Sequence, residues 1–355
     1  MKRYKYLDIA RGIGLLLVII SHSCGLSSYL INYYIPLFFV VSGYIYKPGR
    51  SYGENIGRKA KRLLIPYFGY SAVLLAFYAL MGRSMREMGE SVFGVLYSRY
   101  CLYDTTTHTD NVYLFTVANG AMWYLTAFFV TSLVYHLVID RCLASRKFLL
   151  GCAAVLIAVT MALAELPVLL PWSLDIACVG ALFMIVGTLL GRAEFFERKW
   201  DLTLVLGVLA AYLLLSYVNP GINMSIREFG IYGALSVPCF ILIGIAGSVL
   251  CIWLGKLIER SIVGRAMAYI GQNTIVLLAF HILGLELFEA VAAKFVSIPA
   301  PGSTTASGIL WFTVYHAVRI TASVCGCLVL GWLIAAVKKC WKKIGIKKEG
   351  WTKNV

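Results

Sequence analysis

Three ionisable residues sit inside the first apolar run of the chain, YLDIARGIGLLLVIISHS: Asp8, Arg11 and His22. An ionisable side chain in lipid costs at least ~2.5 kcal/mol, so such residues face a polar cavity or a partner. Asp8 and Arg11 are three residues apart and can pair on one helix face. Arg11 and His22 are eleven apart, and about 100° per residue returns them to nearly the same face, with a rise of about 16 Å. The spacing predicts a stripe facing one cavity, with a cation near one membrane surface and an imidazole well across the core. Imidazole is the natural general base near neutral pH. A histidine hydrogen-bonded between helices is the competing reading, and Arg11 could equally be an interface anchor.

Further polar groups lie in later apolar runs. Asn273, His281, Glu286 and Glu289 share the ninth run, and Asn273 and His281 are eight apart, close enough in angle to share a helix face. The tenth run carries His316 and Arg319, and Glu286 with Arg319 could form an inter-helix ion pair. His136 reads as an interface residue. Asp175 follows Trp172 at the outer mouth of the sixth run, where it touches a ligand or caps the helix. A stretch read as the loop before the third run, RKAKRLLIPYF, puts Arg58, Lys59, Lys61 and Arg62 within five residues at the inner surface. Lipid headgroups would suit these cations, and so would a multiply phosphorylated ligand. Pro66 disfavours helix at Ile65 and can open a polar pocket.

The elements that must position these groups are membrane helices. Of 355 residues, 60% are hydrophobic and only 14% charged, with a mean hydropathy of +0.79. Soluble domains carry about 25% charged residues, so lipid must solvate this chain. Runs long enough for a bilayer core of about 30 Å fall near 7–24, 29–46, 63–81, 113–139, 147–165, 173–191, 202–218, 230–254, 267–293 and 309–337. The expected fold is all-α: a polytopic membrane helix bundle with about ten transmembrane helices and both termini cytoplasmic. It comprises one transmembrane domain over 1–340 and a basic tail over 341–355. The first run holds Asp8, Arg11 and His22 and no cleavage pattern, so it reads as a retained helix rather than a signal peptide.

Orientation follows from the basic residues. With the N-terminus inside, twenty-five of the thirty-two lysines and arginines fall in cytoplasmic segments. Five fall outside: Arg83, Arg86, Arg99, Arg227 and Lys294. The net charge of +15 is then a positive-inside bias toward anionic lipid and calls for no nucleic acid. The outer segment 82–112, with Tyr97, Tyr100, Tyr103, His108 and Asp110, reads as a lid or re-entrant element. Ten cysteines lie mostly in or beside apolar runs without a C-x-x-C pair, and read as small hydrophobes rather than disulfides or a metal site.

The residues resemble the acyltransferase type 3 family of integral-membrane O-acyltransferases, in its fucose 4-O-acetylase-like branch. Arg11 and His22 match the family's Arg-x10-His pattern. Phe38, Phe39, Ser42 and Gly43 of IPLFFVVSGYIY look like its F-F-x-x-S-G motif. Asn273, Thr274 and His281 of YIGQNTIVLLAFH look like its late N-[ST]-hydrophobic-H motif, and NGAMWYL, with Trp123, and PWSLDIACVGALFMIVG, with Asp175, are weaker matches. KRLLIPYF matches the basic start of the family's third helix. The family's R-x-x-R appears here as Lys59-x-x-Arg62, with Arg58 and Lys61 alongside, which leaves open which cation contacts what.

The resemblance implies transfer of an acyl group, most often acetyl, from cytoplasmic acyl-CoA to a hydroxyl of an extracytoplasmic or lipid-linked sugar or glycan, at the inner (plasma) membrane. Acetyl-CoA is then the donor and no metal is required. It implies His22 as general base or as carrier of the acyl group, with Arg11 and Asp8 binding the donor or orienting the site. Arg58, Lys59, Lys61 and Arg62 would hold the donor phosphates. Asn273, His281, Trp123 and Asp175 would position the acceptor or the carbonyl. A transporter or flippase for a lipid-linked or anionic sugar is the main competing function, since intramembrane Arg, His and Glu suit a proton-coupled carrier too. A membrane sensor that has lost activity is the other.

Overall fold

The structure is a computed structural model and describes residues 4–25, 28–103, 112–114, 117, 119–299 and 305–351. Lys2, Arg3, His108, Asp110 and Lys353 lie outside the described residues. The described chain forms α1 (Lys5–Cys24), α2 (Ser28–Ile31), α3 (Tyr34–Tyr44), α4 (Tyr52–Leu80), α5 (Met85–Tyr97), α6 (Trp123–Ala144) and α7 (Arg146–Ala164). It continues with α8 (Ala177–Arg192), α9 (Leu202–Val218), α10 (Val237–Leu257), α11 (Ile262–Gln272), α12 (Thr274–Ala292) and α13 (Ala306–Trp351). A two-stranded hairpin of β1 (Ile222–Asn223) and β2 (Glu228–Phe229) joins α9 to α10.

Every one of the ten apolar runs contains a helix. Among the described residues, eight helices are long and apolar enough to cross a membrane, and the fold is an all-α polytopic membrane bundle. The second and seventh runs yield shorter helices, α3 with 11 residues and α9 with 17. Two boundaries differ in ways that matter for chemistry. The third run was expected to begin at 63, after a basic loop, but α4 begins at Tyr52 and carries Arg58 to Arg62 within it. A capping box starts it: Ser51 Oγ accepts from the Glu54 amide at 3.3 Å, and the Glu54 carboxylate accepts from the Ser51 amide at 3.0 Å. Ala, Lys and Arg are strong helix formers, so the helix runs straight through the cations. Pro66 lies inside α4, where it gives no N–H to the Arg62 carbonyl.

The ninth run is also divided. α11 ends at Gln272 and α12 begins at Thr274, with Asn273 between them at φ −102° and ψ 20°. Asn273 thus stands at the start of α12, the helix that carries His281 eight residues on, a place asparagine takes readily because it is a weak helix former.

The chain divides into two compact units, Met1–Gln272 and Asn273–Val355. In the first, α1 packs on α3, α10 and α11, and α8 packs on α3 and α6. Glycines bring the backbones together. A Cβ on Gly12 would strike the Met267 carbonyl, and one on Gly271 would strike the Asp8 carbonyl. Likewise a Cβ on Gly43, the glycine of the F-F-x-x-S-G stretch, would strike the Met184 carbonyl. Small residues at such crossings let membrane helices gain dispersion contact. Gly43→Ala is expected to destabilise the protein by about 1–3 kcal/mol through overpacking, read as a lower melting temperature in detergent. In the second unit α12 packs on α13, where Ser323 Oγ donates to the His281 carbonyl at 2.9 Å and Arg319 ion-pairs with Glu289, three residues beyond Glu286.

Candidate active site

Asp8 and Arg11 face each other one turn apart on α1, with Arg11 Nη1 3.2 Å from the Asp8 carboxylate. Asp8 is buried and Arg11 half-buried. Together they line a cavity of about 480 Å³ in the first unit, beside the turn after α3, the N-terminal half of α4 and the end of α8. Its polar lining has four cations, Arg11, Lys47, Arg62 and Arg192, against one carboxylate, Asp8. Three tyrosines, Tyr4, Tyr44 and Tyr46, complete the wall. The phenol of Tyr46 donates to Asp140 at 2.7 Å, and Tyr6 lies within hydrogen-bond distance of the Tyr44 hydroxyl (3.2 Å) and the Glu197 carboxylate (3.0 Å). Excess positive charge beside flat aromatic rings suits an anion that also carries a stacking ring system.

The basic cluster of α4 separates by face. Arg62 lines the cavity. Lys59, one turn earlier, turns inward: its ammonium donates to Ser42 Oγ at 3.3 Å and sits 4.5 Å from the centre of the Phe128 ring. Arg58 and Lys61 are exposed and do not line the cavity. Of the four, Lys59 is the one that packs inward and Arg62, itself exposed, is the one that lines the cavity. Arg11, Lys59 and Arg62 lie within electrostatic reach of one another.

His22 is placed differently from its expectation. It is exposed on the last turn of α1 and is not among the residues lining the cavity, so Arg11 and His22 do not share that one cavity. Helix geometry is the reason: eleven residues of rise carry the imidazole about 16 Å from Arg11, beyond the reach of a cavity built around the start of α1. Because α1 begins and α8 ends at the cavity, His22 lies toward the end of the unit at which α8 begins.

That opposite end holds a buried ion cluster that the sequence did not announce. Asp175 is fully buried and pairs with both Arg99 and Arg227, the latter at 3.4 Å. Arg99 also donates to the Leu170 carbonyl (3.1 Å) and the Ser225 carbonyl (2.6 Å), and Arg227 to the Val168 carbonyl (3.0 Å). The Leu170 amide donates to Asp175 at 3.0 Å. Three loops are tied together: the one after α5, the one before α8 and the β1–β2 hairpin. Next to it Trp172 and Ser173 adopt left-handed φ angles of 54° and 60°, a strained pair held by these contacts. Asp175, expected to touch an acceptor or to cap the helix, has its carboxylate taken up by two arginines just before α8. Its carboxylate is enclosed because two buried guanidiniums require it. Trp123 is also buried, with the Arg99 guanidinium 5.9 Å from its ring centre.

In the second unit His281 is fully buried on α12, its Nδ1 2.8 Å from the Leu277 carbonyl. A carbonyl there requires Nδ1 to carry the proton in the neutral ring, which makes Nε2 the basic nitrogen. Asn273 stands at the start of the same helix. Among the described residues no three His, Cys, Asp or Glu side chains gather as metal ligands. The nine cysteines described are free thiols.

No curated protein and no solved structure matches the chain. The family model described as an acyltransferase domain matches residues 4–336, a stretch that takes in Arg11, His22, the α4 cations and the Asn273–His281 segment. The helix bundle and this match over nearly the whole chain agree: the protein belongs to the acyltransferase type 3 family and is a membrane acyltransferase.

Proposed function

We propose that the protein moves an acyl group, acetyl foremost, from cytoplasmic acyl-CoA to a hydroxyl of a sugar or glycan on the far side of the plasma membrane. The observation that carries this reading is the cavity of about 480 Å³ with its four cations and three tyrosines at the start of α1. Coenzyme A offers a matching chemistry: three phosphate groups for the guanidiniums and an adenine for the rings. The sidedness rests on the basic residues, which put the start of α1 and the N-terminal half of α4 in the cytoplasm. Arg11, held by Asp8, then meets the donor at the inner mouth. His22, about 16 Å along the same helix, serves the reacting end.

Two roles for His22 fit. As general base, its imidazole takes the proton of the acceptor hydroxyl while that oxygen attacks the thioester carbonyl, and the C–S bond breaks to release the thiol. As nucleophile, its nitrogen takes the acyl group first and passes it to the hydroxyl. Asn273 and His281 serve in carbonyl or acceptor positioning in this reading.

Titration of purified protein with acetyl-CoA tests it. Arg62→Gln and Arg192→Gln should each weaken binding roughly tenfold, the loss of one charge-assisted hydrogen bond, with the difference shrinking at high salt. Arg58→Gln, on the exposed face of α4, should leave affinity unchanged. Equal affinities for all three variants, or no binding by the wild type, would return the α4 cations to lipid anchoring. Counterflow of substrate in vesicles without any donor would favour a carrier instead.

A further inference from the structure

The hydroxyl of Tyr124, near the start of α6, is buried and has no hydrogen-bond partner among the described residues. A buried, unsatisfied hydroxyl costs roughly 1–3 kcal/mol, and native structures retain few of them without a reason. Its surroundings are specific. The ring packs against Phe38 and Phe39 at 5.6 Å each and against Phe128 at 5.8 Å. Phe128 in turn carries the Lys59 ammonium on its face, and Tyr124 lies within electrostatic reach of Arg11.

Its neighbours place Tyr124 relative to α1. Phe38 lies against Gly14, where a Cβ would come within 3.5 Å of its ring, and Gly14 is one turn past Arg11 on α1. Tyr124 is therefore reached just beyond the cation-lined cavity, on the way to His22. A neutral buried O–H on a ring packed among three others is unsuited to a phosphate but suited to an amide carbonyl carried on a thin apolar chain. The nearby guanidinium polarises the phenol and makes it a better donor.

We propose that Tyr124 is a donor-binding residue whose phenol O–H donates to an amide carbonyl of the pantetheine arm as the arm passes Arg11 toward His22. This rests on the acyl-CoA reading above. In this reading the partner of the hydroxyl, which has none among the described residues, belongs to the ligand.

The test compares wild type with Tyr124→Phe against two probes, acetyl-CoA and adenosine 3′,5′-bisphosphate, which lacks the arm. Tyr124→Phe should weaken acetyl-CoA binding about tenfold and leave the bisphosphate unchanged, and the unliganded variant should melt no lower than wild type. Unchanged acetyl-CoA affinity would overturn the assignment. So would equal weakening of both probes, or a lowered melting temperature, since each marks a structural hydroxyl. If wild type binds neither probe, the acyl-CoA reading itself fails, and this assignment with it.

Discussion

His22→Ala is expected to lower acyl transfer by roughly 10²–10⁴-fold, the usual contribution of a general base, while the protein still inserts and melts at the wild-type temperature. The first half follows from its role at the reacting end. The second follows from its place: His22 is exposed on the last turn of α1, where truncating it opens no core cavity. Steady-state assays and thermal melting of the same preparation read both halves. Arg11→Ala makes an instructive comparison, because Arg11 is half-buried and paired with Asp8, so its loss should lower donor affinity and strand a buried carboxylate as well. Full activity in His22→Ala would remove the imidazole from the reaction. The two roles of His22 separate by isotope exchange between acetyl-CoA and labelled coenzyme A without acceptor. A nucleophilic histidine supports that exchange, and a general base does not.

Asp175→Ala is expected to produce the largest loss of stability, about 3–5 kcal/mol, because it leaves the buried guanidiniums of Arg99 and Arg227 without their shared carboxylate. The damage should spread, since those arginines also hold the carbonyls of Val168, Leu170 and Ser225 and so fix three loops at once. Asp175→Asn keeps one acceptor oxygen and one donor, and should cost less. Melting in detergent reads the difference. α8 runs 16 residues from this cluster to the cavity, about 24 Å, so Asp175→Asn should leave acetyl-CoA affinity intact in the folded fraction. A wild-type melting temperature in Asp175→Ala would show that the cluster bears no weight.

The sequence made the bundle legible because lipid imposes a simple code. Apolar runs of about twenty residues and the bias of basic loops need no tertiary information, and each run did contain a helix. Asp8 and Arg11 were readable for the same reason, since an i,i+3 pair is settled within one helix. What escaped was set by contact between distant segments. Arg99, Asp175 and Arg227 are separated by 76 and 52 residues, and nothing local marks them as partners. Arg99 and Arg227 read from the sequence as ordinary outer-loop cations, yet both are buried.

The charge of Arg58 to Arg62 masks the helix that runs through them. The Ser51–Glu54 capping box was visible in the sequence and signals the earlier start. Even with the helix drawn through the cluster its period does not single out Lys59 and Arg62, since Arg58 lies one turn before Arg62 on the same face; contacts with α3 and α6 decide it. The break at Asn273 had a local signal too, in a polar Gln-Asn-Thr step inside an apolar stretch. Tyr124 had none. An unsatisfied hydroxyl is visible only when every neighbour is in place.

Cation side chains at the start of α1 either receive the donor's phosphates or they do not, and a density map of the purified protein with saturating acetyl-CoA decides it. The account predicts phosphate density among Arg11, Arg62 and Arg192, with the arm running past Tyr124 toward His22. Phosphate density at another surface, or an empty cavity with the donor bound elsewhere, would contradict it.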